Sequence, residues 1–174
     1  RITPAGVPVW GVAGINVDSA PDFIGPPKIV STADDDVVVA WTHDTEIRVR
    51  RLDLSGKALW ASDFIYPADP GDAAQQYVAD LQATPDGGVI VSWVHTTAFY
   101  APRHLRAQKI AGDGRPQWGE VLPGGRRPLV VFDAGTLQYG NFPPLVSDGD
   151  GGAVFAWYET DPVLQVRVQR VRSD

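Results

Sequence analysis

The sequence predicts an all-β fold assembled from repeats of one four-stranded antiparallel unit, and three observations carry that prediction. Tryptophan recurs in phase: Val-Val-Val-Ala-Trp41, Val-Ile-Val-Ser-Trp93 and Ala-Val-Phe-Ala-Trp157 form one column, interleaved with Val-Pro-Val-Trp10-Gly, Lys-Ala-Leu-Trp60 and Arg-Pro-Gln-Trp118-Gly. The turns Ala33-Asp34-Asp35-Asp36, Pro85-Asp86-Gly87-Gly88 and Asp148-Gly149-Asp150-Gly151-Gly152 each precede the first column. The alternating runs Ile47 to Leu52, Leu105 to Ile110 and Val166 to Val171 each follow it. Self-similarity at a fixed period is the signature of a repeat architecture.

In the first unit, strand A runs from Pro27 to Thr32, strand B from Val37 to His43, strand C from Glu46 to Asp53 and strand D from Lys57 to Ser62. Each run is rich in Val, Ile, Trp or Phe and is bounded by Gly, Asp or Pro. Pro27 to Ser31 matches Pro144 to Ser147 and, more weakly, Ala79 to Ala83. Strand C alternates, with Ile47 and Val49 facing one way and Arg48 and Arg50 the other. Asp86-Gly87 and Ser55-Gly56 are hairpin signals, because glycine accepts the positive φ such turns need. No stretch has a helical period.

Four-stranded units of about 50 residues, each with its own tryptophan, point to the blades of a β-propeller-like fold. A lone four-stranded meander exposes two apolar faces, and radial stacking covers both. The alternative is a β-sandwich, which does not require the same tryptophan columns in every unit. On this reading residues 1–174 are a single repeat array. Residues 1–25 are strand D of a preceding or completing blade plus a linker, 26–63 blade one, 77–120 blade two, and 142–174 a third blade lacking its last strand. Arg1-Ile2 shares its repeat position with Arg51-Leu52, Lys109-Ile110 and Arg170-Val171. Propellers have about 4–8 blades, so three are too few to close a ring. Further blades of a longer chain or another copy are expected, and the strand missing beside Val166 to Val171 is expected from Val7 to Val12 of this chain, of a neighbouring copy, or from a longer polypeptide. A start at Arg1 with no methionine fits a mature or excised product. Trp41, Trp93 and Trp157 are expected to be buried and structural.

Composition excludes several functions. The net charge of -6 and pI near 4.9 argue against nucleic acid as partner, since phosphate binding wants a basic footprint. The absence of cysteine removes disulfides, zinc-thiolate sites and cysteine nucleophiles. No apolar run is long enough to span a membrane as a helix. There is no phosphate loop, nucleophile elbow or His-Glu-x-x-His motif, and no carboxylate pair stands out for glycoside hydrolysis.

Three strings taken together, Gly6 to Gly11, Pro144 to Trp157 and Val166 to Val171, resemble the tandem repeats of bacterial secreted and cell-surface β-propeller-like proteins. The resemblance covers nearly the whole chain apart from its insertions. It implies a scaffold in an extracellular, cell-surface or periplasmic setting, and says almost nothing about chemistry. Those repeats carry aspartate two residues after the strand-B tryptophan, where this chain has His43, His95 and Glu159.

The A–B and C–D links read as short. The B–C links (Asp44 to Thr45, Thr96 to Arg103, Thr160 to Pro162) and the D–A links (Phe64 to Gln76, Leu122 to Asn141) vary in length. In an up-and-down blade both variable types emerge on one side, and loops on a rigid scaffold are where binding is built. That face is expected to hold Tyr66, Phe99, Tyr100, Arg103, His104, Arg126, Arg127, Phe132 and Tyr139, with His43, His95 and Glu159 at the strand-B ends. The last three have metal-ligand chemistry, but equivalent positions on adjacent blades lie too far apart for one ion unless close to the axis, so no metal is assigned. Asp148 and Asp150 resemble half a calcium loop without its later acidic ligand, and turn chemistry is the expectation. The functional expectation is non-enzymatic binding of a protein or glycan through the long-loop face. The alternatives are a carbohydrate-active propeller enzyme and a purely structural spacer.

Overall fold

A computed structural model describes residues 1–67, 74–123, 125–159 and 162–173. Within them the chain is all-β, with no helix. Parts of three expected loops, residues 68–73, 124 and 160–161, lie outside the described residues, as does Asp174. The first sheet, sheet I, is an antiparallel meander of β1 (Lys28–Ser31), β2 (Val37–His43), β3 (Glu46–Leu52) and β4 (Phe64–Tyr66). Sheet II joins β5 (Gln75–Ala83), β6 (Val89–Thr96), β7 (His104–Ile110) and β10 (Leu129–Phe132) in the same order. Between them in sequence, β8 (Val121–Leu122) and β9 (Gly125–Arg126) form a separate two-stranded ribbon. Sheet III has three strands, β11 (Leu145–Ser147), β12 (Ala153–Glu159) and β13 (Gln165–Val171). The described residues therefore form four antiparallel sheets where three blades, the third lacking its last strand, are expected.

The tryptophan phase explains the stacking. Val38, Ala40, Ile47 and Val49 on one face of sheet I pack with Val89, Val91 and Trp93 of sheet II. The other face of sheet II, with Ile90, Val94, Leu105 and Ala107, packs with Phe155 and Trp157 of sheet III. Each strand-B tryptophan thus points back at the preceding sheet and meets an aromatic on that sheet's last strand: Tyr66 lies 5.3 Å from Trp93 and Phe132 lies 5.1 Å from Trp157, ring centre to ring centre. Trp41 has no preceding sheet, and Val17 of the N-terminal segment packs there instead. All three tryptophans are buried, as expected.

Strand D is where the structure corrects the sequence reading. It is not Lys57 to Ser62 but Phe64–Tyr66, and in the second unit it is not in the stretch up to Glu120 but Leu129–Phe132. The corner itself is tight, with lone bridges Leu52–Ala58 and Ile110–Pro116. In the first unit the chain then swings toward the next sheet because its second tryptophan is held there. The Trp60 indole N–H donates to the Gly112 carbonyl at 2.9 Å, and Trp10 makes the equivalent bond to Leu54 at 3.1 Å. Only afterwards does the chain return to pair with strand C. The C–D links are therefore not short, and Trp10 and Trp60 of the second column clasp neighbouring units together rather than filling a strand.

A basic column completes the clasp. Arg51 is held by Asp34 and Asp36 of its own sheet and donates forward to the Gly87 and Gly112 carbonyls, each at 3.0 Å. Arg1 donates to the Leu54 carbonyl at 3.4 Å, which confirms the phase Arg1–Arg51. Gln108 accepts from the Trp118 N–H and donates to its carbonyl, fixing the corner of sheet II. Val7 to Val12 forms no strand. It contributes only the bridge Ile2–Pro8, so the expected supply of a fourth strand to sheet III from this chain's own N-terminus does not occur.

Two outcomes follow. Trp93→Ala removes the centre of the sheet I–sheet II core and is expected to cost about 3–5 kcal/mol in chemical denaturation; a loss below about 1 kcal/mol would place the residue outside the core. Gly114 adopts φ 89 beneath the Trp60 ring, where an added Cβ would lie 3.1 Å from the indole. Gly114→Ala is expected to cost about 1–2 kcal/mol from the left-handed backbone and to shift Trp60 fluorescence as the clasp loosens.

Candidate functional site

The end of the stack carrying the B–C and D–A loops gathers aromatic residues around one arginine. Arg103, at the foot of β7, is buried, and its guanidinium lies 5.1 Å from the Tyr139 ring centre and 5.7 Å from that of Tyr77. Phe99 stands 5.5 Å from Tyr139 and 4.9 Å from Tyr100, while Phe23 meets Tyr77 edge-on at 6.1 Å. The result is a continuous row, Phe23–Tyr77–Arg103–Tyr139–Phe99–Tyr100. Phe23, Phe99, Tyr100 and Tyr139 are exposed, with Tyr100 almost wholly in solvent.

Local folding fixes the row. The backbone of Arg103 is pinned on both sides, its N–H donating to Thr136 Oγ1 at 3.0 Å and its carbonyl accepting from the Leu137 N–H at 2.8 Å. That ties the B–C loop of sheet II to the chain leading into sheet III. Phe23 is held against sheet I because its N–H donates to the Asp44 carboxylate and its carbonyl accepts from the Asp44 N–H. Stacked guanidinium and ring are each attractive through the negative ring face, by about 0.5–2 kcal/mol depending on solvation. Arg103 Nε has no hydrogen-bond partner among the described residues.

Of the residues expected on this face, the structure brings Phe99, Tyr100, Arg103 and Tyr139 together. Sequence reading missed Phe23 and Tyr77. Tyr77 looked like an ordinary strand residue, and Phe23 lay in a linker whose only signal was an aromatic flanked by Pro21 and Gly25. Tyr66 and Phe132 are on strands, as described above, and not on loops. Arg126 and Arg127 lie in and beside the β8–β9 ribbon, which precedes strand D, so they do not belong to the loop face. Arg126 donates to the Gly119 carbonyl at 2.9 Å, Arg127 pairs with Glu120 at 3.3 Å, and both border a groove of about 800 Å³ shared with Trp60 and Tyr66. An extra Cβ on Gly119 would lie 1.9 Å from the Arg127 carbonyl, which is why glycine follows Trp118.

His43, His95 and Glu159 are each taken up by their own surroundings. His43 Nδ1 lies 2.6 Å from Asp18, His95 is buried within sheet II, and Glu159 accepts from Gln165 at 2.5 Å and Arg167 at 2.7 Å. No group of three metal-ligating side chains converges among the described residues. His104 begins β7 opposite His95; burial pushes its pKa down, and Arg106 does so further against the pull of Asp133. Asp148 accepts from the Asp150 and Gly152 N–H groups and from Arg170, so the stretch that resembles half a calcium loop is a turn whose carboxylate pKa is held low first by the Asp150 N–H.

Asp18 anchors the N-terminal segment over sheet I. It accepts from the Trp41 indole at 2.5 Å and faces His43 at 2.6 Å and Arg48 at 3.8 Å. Burial alone would raise its pKa, yet the bonds to His43, Trp41 and the Ser19 N–H outweigh it and leave the value below the ordinary 3.8. Arg50 extends the anchor with a two-pronged pair to Asp63 and a bond to the Val17 carbonyl at 2.6 Å.

No protein-family model matches the chain, and no curated protein matches it. A solved structure that it resembles is an endo-arabinase from Bacteroides thetaiotaomicron VPI-5482, with a TM-score of 0.51 at 9% identity over 92% of this chain. The chain spans 60% of that protein's length. At this identity the likeness shows a shared all-β fold.

Because the folded pKa of Asp18 is depressed, its carboxylate stabilises the fold above the ordinary 3.8, and that contribution is lost as pH falls through the folded value. Asp18→Asn is therefore expected to be less stable than the parent at pH 7, with the difference shrinking on acidification below 3.8. A difference that stays constant across that range in urea titrations would remove Asp18 from the anchor.

Proposed function

We propose that the chain is a propeller-like stack whose loop end recognises a glycan, without assigning it a catalytic step. The row of exposed aromatics on either side of Arg103 carries this reading. The C–H face of a sugar ring is apolar and slightly positive, so it stacks on the negative face of tyrosine or phenylalanine. Phe99, Tyr100 and Tyr139 offer such faces as an exposed, mutually inclined cluster, and the buried Arg103 guanidinium stacks on Tyr139 and holds it from behind. The likeness in fold to an endo-arabinase supports a carbohydrate as ligand. The resemblance of the Trp-centred strings to repeats of bacterial secreted and surface proteins supports an extracellular or periplasmic place of action.

The same likeness favours one second reading, a carbohydrate-active enzyme. A hydrolase needs two carboxyl groups flanking the scissile bond. Asp18, Asp44 and Glu159 at this end are each already engaged with neighbours, which favours binding over cleavage.

Titration calorimetry against arabino-oligosaccharides, with xylo- and manno-oligosaccharides alongside, tests the proposal. Saturable binding is expected, weakened at least about tenfold in Tyr139→Ala, which is about 1.4 kcal/mol, with the melting temperature unchanged. Absence of heat with all three series, or binding indifferent to Tyr139→Ala, would overturn glycan recognition at this row; release of reducing ends would favour the enzymatic reading.

A further inference from the structure

Four charged side chains are buried among the described residues: Arg51, Arg103, Lys109 and Glu159. Burying a charge is costly unless an opposite charge and hydrogen bonds replace the water it gives up. Three of the four meet that condition. Arg51 pairs with Asp34 and Asp36, each at 2.9 Å, Lys109 with Asp86 at 2.7 Å, and Glu159 with Arg167 at 2.7 Å. Arg103 does not. It is 7% exposed against 6% for Arg51, yet no carboxylate or carbonyl among the described residues accepts from its guanidinium.

A shortage of acids is not the reason, since the chain has 21 Asp and Glu against 15 Lys and Arg. The carboxylates at the loop end are committed elsewhere: Asp44 accepts from the Phe23 N–H, Glu159 from Gln165 and Arg167, and Asp18 from Trp41. The Tyr77 and Tyr139 rings attract the cation at 5.7 and 5.1 Å but carry no charge to neutralise it. Of the guanidinium nitrogens only Nε is sealed off without a partner. The two terminal nitrogens are equally unbonded but keep contact with solvent, beside the exposed Tyr139 and the Phe99 ring next to it.

We propose that the missing counter-charge arrives with the ligand, and that the glycan taken up at this row is acidic: an oligosaccharide bearing a uronic acid. Its sugar ring stacks on Tyr139 and Phe99, and its carboxylate accepts from the terminal N–H groups of Arg103. The inference rests on the glycan reading of the row and adds to it the class of sugar. With rings along its faces, the guanidinium has its edge left to offer, and a planar carboxylate meets that edge through two parallel hydrogen bonds. A uronic acid carries its carboxylate at the rim of the ring that stacks, so one sugar spans both the aromatic face and the cation. A neutral sugar fills the same place and leaves the charge uncompensated.

Titration calorimetry of the whole chain with a galacturonate oligosaccharide and with its methyl ester tests the charge at constant shape. The acid is expected to bind at least about tenfold more tightly than the ester. That advantage is expected to shrink as salt is raised, while the ester is indifferent to salt. In Arg103→Gln the two ligands are expected to bind within about twofold of each other, and Arg103→Lys, which keeps the charge but loses the fork, falls between. The comparison on the parent chain decides the matter even where a variant does not fold. Equal binding of acid and ester overturns the acidic-sugar assignment and leaves glycan recognition standing. Silence with acid, ester and neutral sugars alike removes both. A sulfated oligosaccharide or an acidic peptide that binds more tightly than the galacturonate and displaces it would also overturn the assignment, the peptide by making the row a protein-binding site.

Discussion

The molecule depends on burying each sheet's tryptophan face against the sheet before it. A four-stranded antiparallel sheet with apolar residues on both faces has nowhere to hide them alone, and stacking is the solution its sequence repeats. The middle sheet shows the consequence most fully. All eight residues of β6 are buried, because sheet II has a neighbour on each side. Its counterpart β12 alternates between buried and less buried, since only one of its faces is covered. Two strands with nearly the same sequence pattern thus differ in burial through position in the stack, not through composition.

Polar groups then lock the spacing that packing permits. Arg51 is buried, and a buried charge is tolerated only when paired and hydrogen-bonded. Here two aspartates neutralise it and two carbonyls of the adjoining sheet take its remaining donors. The Gly87 carbonyl is presented by an A–B turn with positive φ at Gly87, as at Gly151 and, despite its side chain, at Asp35. The turn chemistry and the inter-sheet clasp are therefore one device. The same rigid frame presents the loops at the opposite end, where Arg103 is stacked between rings instead of bonded to carbonyls.

Much of this was legible in the sequence. The tryptophan columns fixed strands B and C to within a residue, and the phase of Arg1 with Arg51 reappears as a shared role toward the carbonyls of Leu54 and Gly112. Strand D was misplaced because local pattern cannot distinguish a residue that pairs in its own sheet from one drafted by the next; Leu59-Trp60 reads as strand either way. That error moved Tyr66, Phe132, Arg126 and Arg127 onto the loop face, whereas the first two are core aromatics and the last two flank a ribbon. Phe99, Tyr100, Arg103 and Tyr139 were found because loop length alone put them at one end. Their partners Phe23 and Tyr77 were not, because the contact joins positions far apart in sequence.

The third interface departs from the other two in a way that clarifies what the clasp does. Trp10 and Trp60 each donate their indole N–H to a carbonyl of the following sheet, but the Trp118 indole is buried without a hydrogen-bond partner among the described residues. An unsatisfied buried donor costs about 1–3 kcal/mol, so something must offset it. Gln108 grips the Trp118 backbone from both sides and turns the ring into the core shared by sheets II and III, beside Phe132 and Phe155. Sheet I has Arg50 at the position of Gln108, and Arg50 is committed instead to Asp63 and Val17. With no such grip on its corner, Trp60 is free to reach across to sheet II. The β8–β9 ribbon fits the same account: once Trp118 is drawn inward, the chain must travel round it before Leu129–Phe132 can pair with β7, and the close approach of Gly119 to the Arg127 carbonyl is the point where that detour closes. One glutamine in place of arginine thus converts an inter-sheet clasp into added core and obliges the insertion that follows it.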